Sequence, residues 1–212
     1  MTVEINIDLE KLAAIALLAS RTDVRQQLNG VYVEASGAET RIAATDGIQC
    51  GMLRHAEPAD MSNVLGGQPQ LSVILPMDVI DKMKPSKHLA NVATIIGVRE
   101  RDDGSIDGWR VRLIDGTLIP FKVPEGRYPN LSRLLPLEIV RDVPTPRLDV
   151  SRLATFMKVH KALGVKNCGN MLIDGSDGSP AIIRFPARPD FVGVLSPMQW
   201  DEDKSPALAR WS

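Results

Sequence analysis

The chain has 212 residues, of which 44% are hydrophobic and 24% charged; this composition suits one to two folded domains and excludes wholesale disorder. The formal net charge is −1, so any contact with nucleic acid requires a local basic face. The two cysteines and three scattered histidines form neither a disulfide framework nor a metal site, and the N-terminus lacks the layout of a secretion signal. We therefore expect a reducing, cytoplasmic setting and no metal or cofactor.

The first 124 residues contain one pattern twice: a strand, a helix and three more strands. In the first copy, residues 3–7 alternate as a strand does, Asp8 stands at a helix N-cap, and apolar residues then recur at helical spacing. An alternating run at 31–34 and a second run at 40–45 follow, bounded by Gly-containing turns, and residues 29–55 are predicted to form a β-meander. The recurrence of the whole pattern indicates an internal structural repeat.

The second copy follows a loop at 57–70 that is rich in Pro, Gly, Ser and Asn. Residues 71–75 predict a strand, and Pro76 opens a short helix that Pro85 stops. Three further strands are predicted at 91–98, 109–114 and 118–123, with Asp-Gly turns typical of hairpins between them.

The pattern starts a third time at Arg147. Leu148–Val150 predicts a strand, Ser151 a helix cap, and the helix extends from Arg152 to Leu163. Strands are then predicted at 171–173, 181–185 and 191–195.

We therefore predict an α+β fold of repeated βαβββ units, with antiparallel sheets and the helices on one face. Its predicted parts are a complete domain at 1–136, a linker at 137–146, a half domain at 147–200 and a flexible tail at 201–212.

Motifs at four places support a more specific hypothesis: DVRQQLNG at 23–30, ATDG at 44–47, GRYPNLSRLLP at 126–136 and VLSPM at 194–198. In this order they resemble segments of the bacterial DNA polymerase III β subunit, the sliding clamp. The first three resemble segments of the middle domain of that family. The fourth matches in part the end of the family's chain, where a strand is followed by the sequence M-P-M. The resemblance extends over roughly residues 3–200 and implies the DNA-clamp fold.

The resemblance implies a ring around duplex DNA that performs no chemistry and tethers DNA polymerases or repair proteins. Partners of the family insert a short peptide into a hydrophobic pocket between the middle and last domains, and concave apolar patches suit such anchors. The pocket positions of the family fall here on Leu28, Thr45, Gly47, Ile48, Gln49, Cys50, Pro129, Arg133, Leu134, Val194, Leu195, Ser196, Pro197 and Met198.

The chain departs from the family at this pocket, where Ile48-Gln49-Cys50 replaces His-Arg-Leu and Ser196 replaces Met. These changes leave the identity of the peptide open. The chain resembles a shortened clamp that lacks the first domain and half of the last. A family ring contains twelve βαβββ units, so three units per chain predict a homotetramer if the ring closes.

Basic residues near the predicted helices would face duplex DNA in such a ring. Contacts of this kind to phosphates do not depend on base sequence and weaken with salt. For any single residue, a solvated helix face is the simpler explanation. The residues are Lys11, Arg21, Arg25, Lys82, Lys84, Lys87, Arg152, Lys158 and Lys161.

An enzyme has little support, because no nucleophile and no Gly-rich phosphate loop stands in a recognisable motif. Two functions stay open. The first is a minimal clamp that closes into a ring and tethers a polymerase. The second is a clamp-derived peptide-binding module without a ring, which acts as an adaptor or a decoy. An unrelated α+β domain, in which the motifs are a structural hairpin and a loop, is the remaining alternative.

Overall fold

The computed structural model describes residues 2–36, 39–55, 70–84, 91–98, 106, 108–135, 146–165, 170–175 and 179–198. Eleven β-strands and three α-helices lie within these ranges. The strands are β1 (Thr2–Asp8), β2 (Gly30–Ser36), β3 (Thr40–Thr45), β4 (Gln49–His55), β5 (Gln70–Pro76), β6 (Val92–Val98), β7 (Gly108–Leu113), β8 (Leu118–Phe121), β9 (Leu172–Asp174), β10 (Ala181–Phe185) and β11 (Arg188–Leu195). The helices are α1 (Leu9–Ala16), α2 (Met77–Ile80) and α3 (Val150–Ala162), with 3-10 turns at Gln26–Leu28 and Leu131–Leu134.

The strands form two antiparallel sheets, one of four strands in the order β1-β6-β7-β8 and one of seven in the order β5-β2-β3-β4-β11-β10-β9. The first strand of each of the first two repeats pairs with the sheet of the other: β1 pairs with β6, and β5 pairs with β2. This exchange interlocks the two repeats, because each sheet takes one strand from the other repeat.

The seven-stranded sheet continues from the first two repeats into the third without a break. Strands β4 and β11 pair antiparallel there, with Gly51 opposite Gly193. A Cβ atom at Gly51 would lie 2.3 Å from Leu18 Cδ1, and one at Gly193 would lie 2.3 Å from Phe156 Cε1. Both helix-side residues are fully buried, so the two glycines let the α1 and α3 regions pack directly onto the junction.

The main core lies between the helices and the sheets. Along β2, Val31, Val33 and Ala35 are buried in it, whereas Tyr32 packs into a cluster on the opposite face of the seven-stranded sheet. This is the period of two that a strand imposes on its side chains. The cluster on the opposite face consists of Ala43, Cys50, Ile74, Tyr128, Leu131, Ile182 and Val194. The sheet is therefore covered on both faces.

The predicted α+β class with antiparallel sheets is confirmed. The predicted strand at Leu148–Val150 is wrong, because residues 147–149 have no regular structure and α3 already begins at Val150. The predicted cap at Ser151 is also wrong: the N-cap is Asp149, two residues earlier, and its carboxylate accepts the Ser151 backbone N–H at 2.8 Å. The third repeat thus has a helix and three strands in the described residues.

The domain boundaries stay a prediction. The predicted linker, apart from Pro146, and the predicted tail at 201–212 lie outside the described residues.

Candidate peptide-binding site

The loop at 23–29 is fixed by its own polar groups. The Asp23 N–H donates to Asn29 Oδ1 at 3.0 Å, and Asn29 Nδ2 donates to the Asp23 carbonyl at 2.8 Å. Arg25 pairs with the Asp23 carboxylate at 2.8 Å, and its hydrogen bonds lower the pKa of Asp23 to about 2. These bonds close the loop, and Leu28 within it is buried.

The turn at 45–49 is also closed by side chains. Thr45 Oγ1 donates to the Gln49 carbonyl at 2.8 Å and accepts the Gly47 N–H at 3.0 Å. Asp46 Oδ1 accepts the N–H groups of Ile48 and Gln49, each at 2.9 Å. Gly47 has a φ of 91°, which favours glycine, and a Cβ there would lie 2.9 Å from Arg25 Nη2. The guanidinium of the first loop therefore covers this turn.

Residues 194–198 lie beside that turn. Cys50 pairs with Val194 across the β4–β11 junction. Beyond the strand, the Ser196 N–H donates to the Ile48 carbonyl at 2.9 Å, and the Met198 N–H donates to the Arg147 carbonyl at 2.8 Å. Residues 196–198, which follow β11, are thus held between the 45–49 turn and the residues that precede α3.

The segment at 126–135 packs on β2, β3 and β4 on the face of the sheet away from the main core. The Tyr128 ring stacks on Tyr32 with centroids 4.9 Å apart, and its hydroxyl donates to the Ala43 carbonyl at 3.3 Å. Leu131 packs in the same cluster as Cys50. Burial raises the pKa of the Tyr128 hydroxyl and raises the pKa of the Cys50 thiol to about 12. Both groups are neutral packing elements at physiological pH.

The predicted pocket residues differ in burial. Six are buried: Leu28, Thr45, Gln49, Cys50, Val194 and Leu195. Of these, Cys50 and Val194 belong to the cluster on the opposite face of the seven-stranded sheet, whereas Leu195 belongs to the main core. Eight are exposed or partly exposed: Gly47, Ile48, Pro129, Arg133, Leu134, Ser196, Pro197 and Met198. Three of these are large apolar side chains on three different segments, with Ile48 49%, Leu134 45% and Met198 45% exposed.

Comparison with known proteins supports the fold. No family model and no curated protein sequence matches this chain. A Pseudomonas aeruginosa DNA polymerase sliding clamp superposes on 93% of this chain and 67% of its own, with a TM-score of 0.67 and 16% identity. An H. pylori β clamp superposes on 94% and 66% of the two chains, with a TM-score of 0.68 and 12% identity. This chain has the sliding-clamp fold. A Caulobacter crescentus pol III β agrees, with a TM-score of 0.60, 18% identity and coverage of 93% and 66%.

The chain spans about two thirds of the length of these clamps. The clamp fold that the sequence motifs indicated is thus confirmed.

A groove of about 850 Å³ lies on the same sheet face of this clamp fold as the candidate site. Its lining includes Tyr32, Met52 and Val192 on the sheet and Tyr128 on the covering segment. Of the predicted pocket residues, Pro129 lines it. This groove was not predicted from the sequence, although the alternation of β2 and β4 already places Tyr32 and Met52 on the face away from the main core.

Three arginines among the predicted DNA-facing residues form ion pairs. Arg21 pairs with Asp81 at 2.8 Å, Arg25 pairs with Asp23, and Arg152 pairs with Asp46. Lys82, Lys84, Lys158 and Lys161 are exposed, Lys11 is partly exposed, and Lys87 lies outside the described residues. The three arginines therefore have local structural roles, while the exposed lysines have the form that phosphate contacts require.

In the part of the chain that the structure describes, no helix is long and apolar enough to cross a membrane. No group of three or more His, Cys, Asp or Glu side chains there is arranged to hold a metal ion.

Proposed function

We propose that this protein is a sliding-clamp-like, non-enzymatic tether that binds a short peptide of a DNA polymerase or repair protein in the cytoplasm. The observation that carries the proposal is the meeting of four distant segments: the 23–29 loop, the 45–50 turn, residues 126–135 and residues 194–198. Each resembles a clamp motif, and direct contacts join them. Ligand-binding residues brought together by a rigid scaffold are typical of a recognition site.

The chemistry of the site favours a peptide with apolar anchors. Ile48, Leu134 and Met198 present exposed apolar side chains, and Arg133 adds a positive charge near Leu134. The 23–29 loop and the 45–49 turn are held by their own hydrogen bonds, so the site needs little reorganisation on binding. Pre-organised apolar contacts at the centre of an interface supply most of its affinity.

A fluorescence-polarisation titration tests this site with a labelled peptide of the kind that binds bacterial sliding clamps. Ile48→Asp should weaken binding by roughly tenfold or more, because an apolar anchor would meet a hydrated carboxylate. Ile114→Asp is the matched control, since Ile114 is 52% exposed and lies in the turn after β7 of the other sheet. Equal affinities of the two variants, or no binding by the native chain, would refute the peptide site.

The proposed tether acts on duplex DNA through the exposed lysines near α2 and α3. Four chains, each with three repeats, would supply the twelve units of a clamp ring. Light scattering should then give four times the 23.2 kDa of one chain. The ring predicts salt-sensitive retention on closed circular DNA that is lost when the DNA is cut, because a ring slides off a free end.

A peptide-binding adaptor or decoy without a ring is the second candidate. It is favoured by the pairing of Arg21, Arg25 and Arg152 with carboxylates, which reduces the positive charge available to DNA. Peptide binding together with equal, weak retention on circular and linear DNA would select the adaptor over the tether.

A further inference from the structure

The first two repeats follow one rule of strand exchange. Ile7 and Leu75 each lie two residues before the first residue of a helix, and each pairs with a strand of the other repeat, opposite Ala93 and Val31. The backbone N–H of the first helical residue then donates across the same boundary. Leu9 donates to the Asn91 carbonyl at 2.8 Å, and Met77 donates to the Asn29 carbonyl at 3.0 Å.

The third repeat contains a counterpart of each partner in this exchange: residues 147–149 before α3, and strand β9 after it. Within the described residues, neither counterpart has the exchanged pairing. Residues 147–149, which precede α3, form no strand. Strand β9 pairs with β10 alone and ends the seven-stranded sheet. In the first two repeats, the strand before each helix pairs with the strand after the helix of the other repeat. By this rule, β9 should pair with the strand that precedes the helix of another repeat. Residues 147–149 should likewise pair with the strand that corresponds to β9 in another repeat.

Leu148 occupies the position that Ile7 and Leu75 have in the first two repeats, two residues before the first helical residue. Its side chain packs against the main core, as theirs do. No backbone hydrogen bond joins Leu148 to another described residue. The Arg147 carbonyl accepts the Met198 N–H, and neighbouring residues of a strand direct their hydrogen-bonding groups to opposite sides. A strand formed by residues 147–149 would therefore direct the Leu148 N–H and carbonyl away from Met198.

Exposed apolar side chains flank the same place. Val150, at the start of α3, is 78% exposed, and Leu172, at the start of β9, is 45% exposed. In a strand pair that obeys the exchange rule, Leu148 would lie opposite Ile173 of β9 or opposite Met171 just before it. Both side chains pack against the main core. An unpaired strand edge beside apolar side chains is a ready template for another strand.

We propose that two copies of this chain complete one clamp-like domain between them. The segment 147–149 of each copy pairs with β9 of the other, and the two α3 helices lie side by side as α1 and α2 do. The occupant is a second copy because the missing strand and the open edge are both present on one chain, which is the self-complementarity that a two-fold interface requires. This pairing needs neither DNA nor a peptide, so it stands independently of the proposed function.

Light scattering of the full chain at roughly tens of micromolar tests the pairing. We expect a mass of at least twice 23.2 kDa. Val150→Lys and Leu172→Lys should each halve the mass of the assembly, because a charge at the edge opposes strand addition. Val24→Lys is the matched control, since Val24 is 95% exposed and lies in the 23–29 loop. A monomeric native chain, or an assembly that both edge variants leave unchanged, overturns the proposal.

Disulfide trapping identifies the paired residues. In a Cys168→Ser background, chains with Leu172→Cys are mixed with chains with Arg147→Cys or with Asp149→Cys. Leu172 would lie opposite Asp149 if Leu148 pairs with Ile173, and opposite Arg147 if Leu148 pairs with Met171. One of the two mixtures should therefore give a covalent dimer on a non-reducing gel, while each variant alone runs as a monomer. Different chains supply the two cysteines, so an intrachain bond cannot produce this result. Absence of a trapped dimer from both mixtures, in an assembly that scatters as a dimer, also overturns the proposal.

Discussion

Replacement of Gly193 by alanine tests whether the third repeat is joined to the first domain as the structure shows. A Cβ atom at this position would lie 2.3 Å from Phe156 Cε1 and 3.1 Å from both Cδ1 and Cζ of the same ring. These distances are far below ordinary contact distances, so either the ring or the strand must move.

Neither can move without cost. Phe156 is fully buried and has an edge contact with Phe191, whose centroid is 6.4 Å away. Gly193 lies on a central strand and pairs with Gly51 on one side and Ile183 on the other. Overpacking of a well-packed core costs about 1–3 kcal/mol, and we expect Gly193→Ala to lower the free energy of unfolding by that amount.

Urea denaturation measures this loss, with Gly108→Ala as the matched control. Gly108 also lies on a strand, but a Cβ there would have no atom within 4 Å, so the change should be neutral or stabilising by up to about 1 kcal/mol. Addition of Phe156→Leu to Gly193→Ala should restore part of the lost stability, because the smaller side chain makes room. Equal midpoints for Gly193→Ala and Gly108→Ala would refute this account of the junction.

Three further predictions concern single side chains. In a Cys168→Ser background, Cys50 should react with a thiol reagent at pH 8 far more slowly in the folded chain than in urea, because burial raises its pKa to about 12; equal rates would contradict this. The hydrogen bond from Arg188 lowers the pKa of Asp190, so this pair should stabilise the fold by about 0.5–1 kcal/mol above pH 4 and lose that contribution as the pH falls through the lowered value. Urea titrations of Asp190→Asn and the native chain should therefore differ at pH 7 and converge in acid. Lys158→Gln should reduce the slope of log affinity for duplex DNA against log salt by roughly one, and an unchanged slope would remove Lys158 from the DNA contacts.

The sequence alone predicts most of the elements because local signals mark their ends. Asp8 caps α1 with two backbone N–H groups, as its place before the apolar periodicity predicts. Alternation identifies β2 and β3, and the glycine-containing turn at 46–47 separates β3 from β4. These features depend on neighbouring residues, so a single sequence is sufficient to find them.

The exchange of first strands and the β4–β11 junction could not be predicted from the residues themselves. Both depend on pairing between segments far apart in the chain, and the paired glycines at the junction resemble ordinary strand glycines in the sequence. The wrong strand at Leu148–Val150 has the same origin. Its alternation is present, but a strand also needs a partner, and the described residues of one chain provide none.

The proposed peptide site depends on the third repeat for part of its support. The site takes three supports from the third repeat: β11 pairs with β4, Arg152 pairs with Asp46 of the 45–49 turn, and the Arg147 carbonyl holds Met198. All three come from residues 146–198, which one repeat supplies. A further repeat paired with β9 would lie at the far edge of the seven-stranded sheet, separated from β4 by β10 and β11. The three supports of the site therefore do not depend on such a repeat.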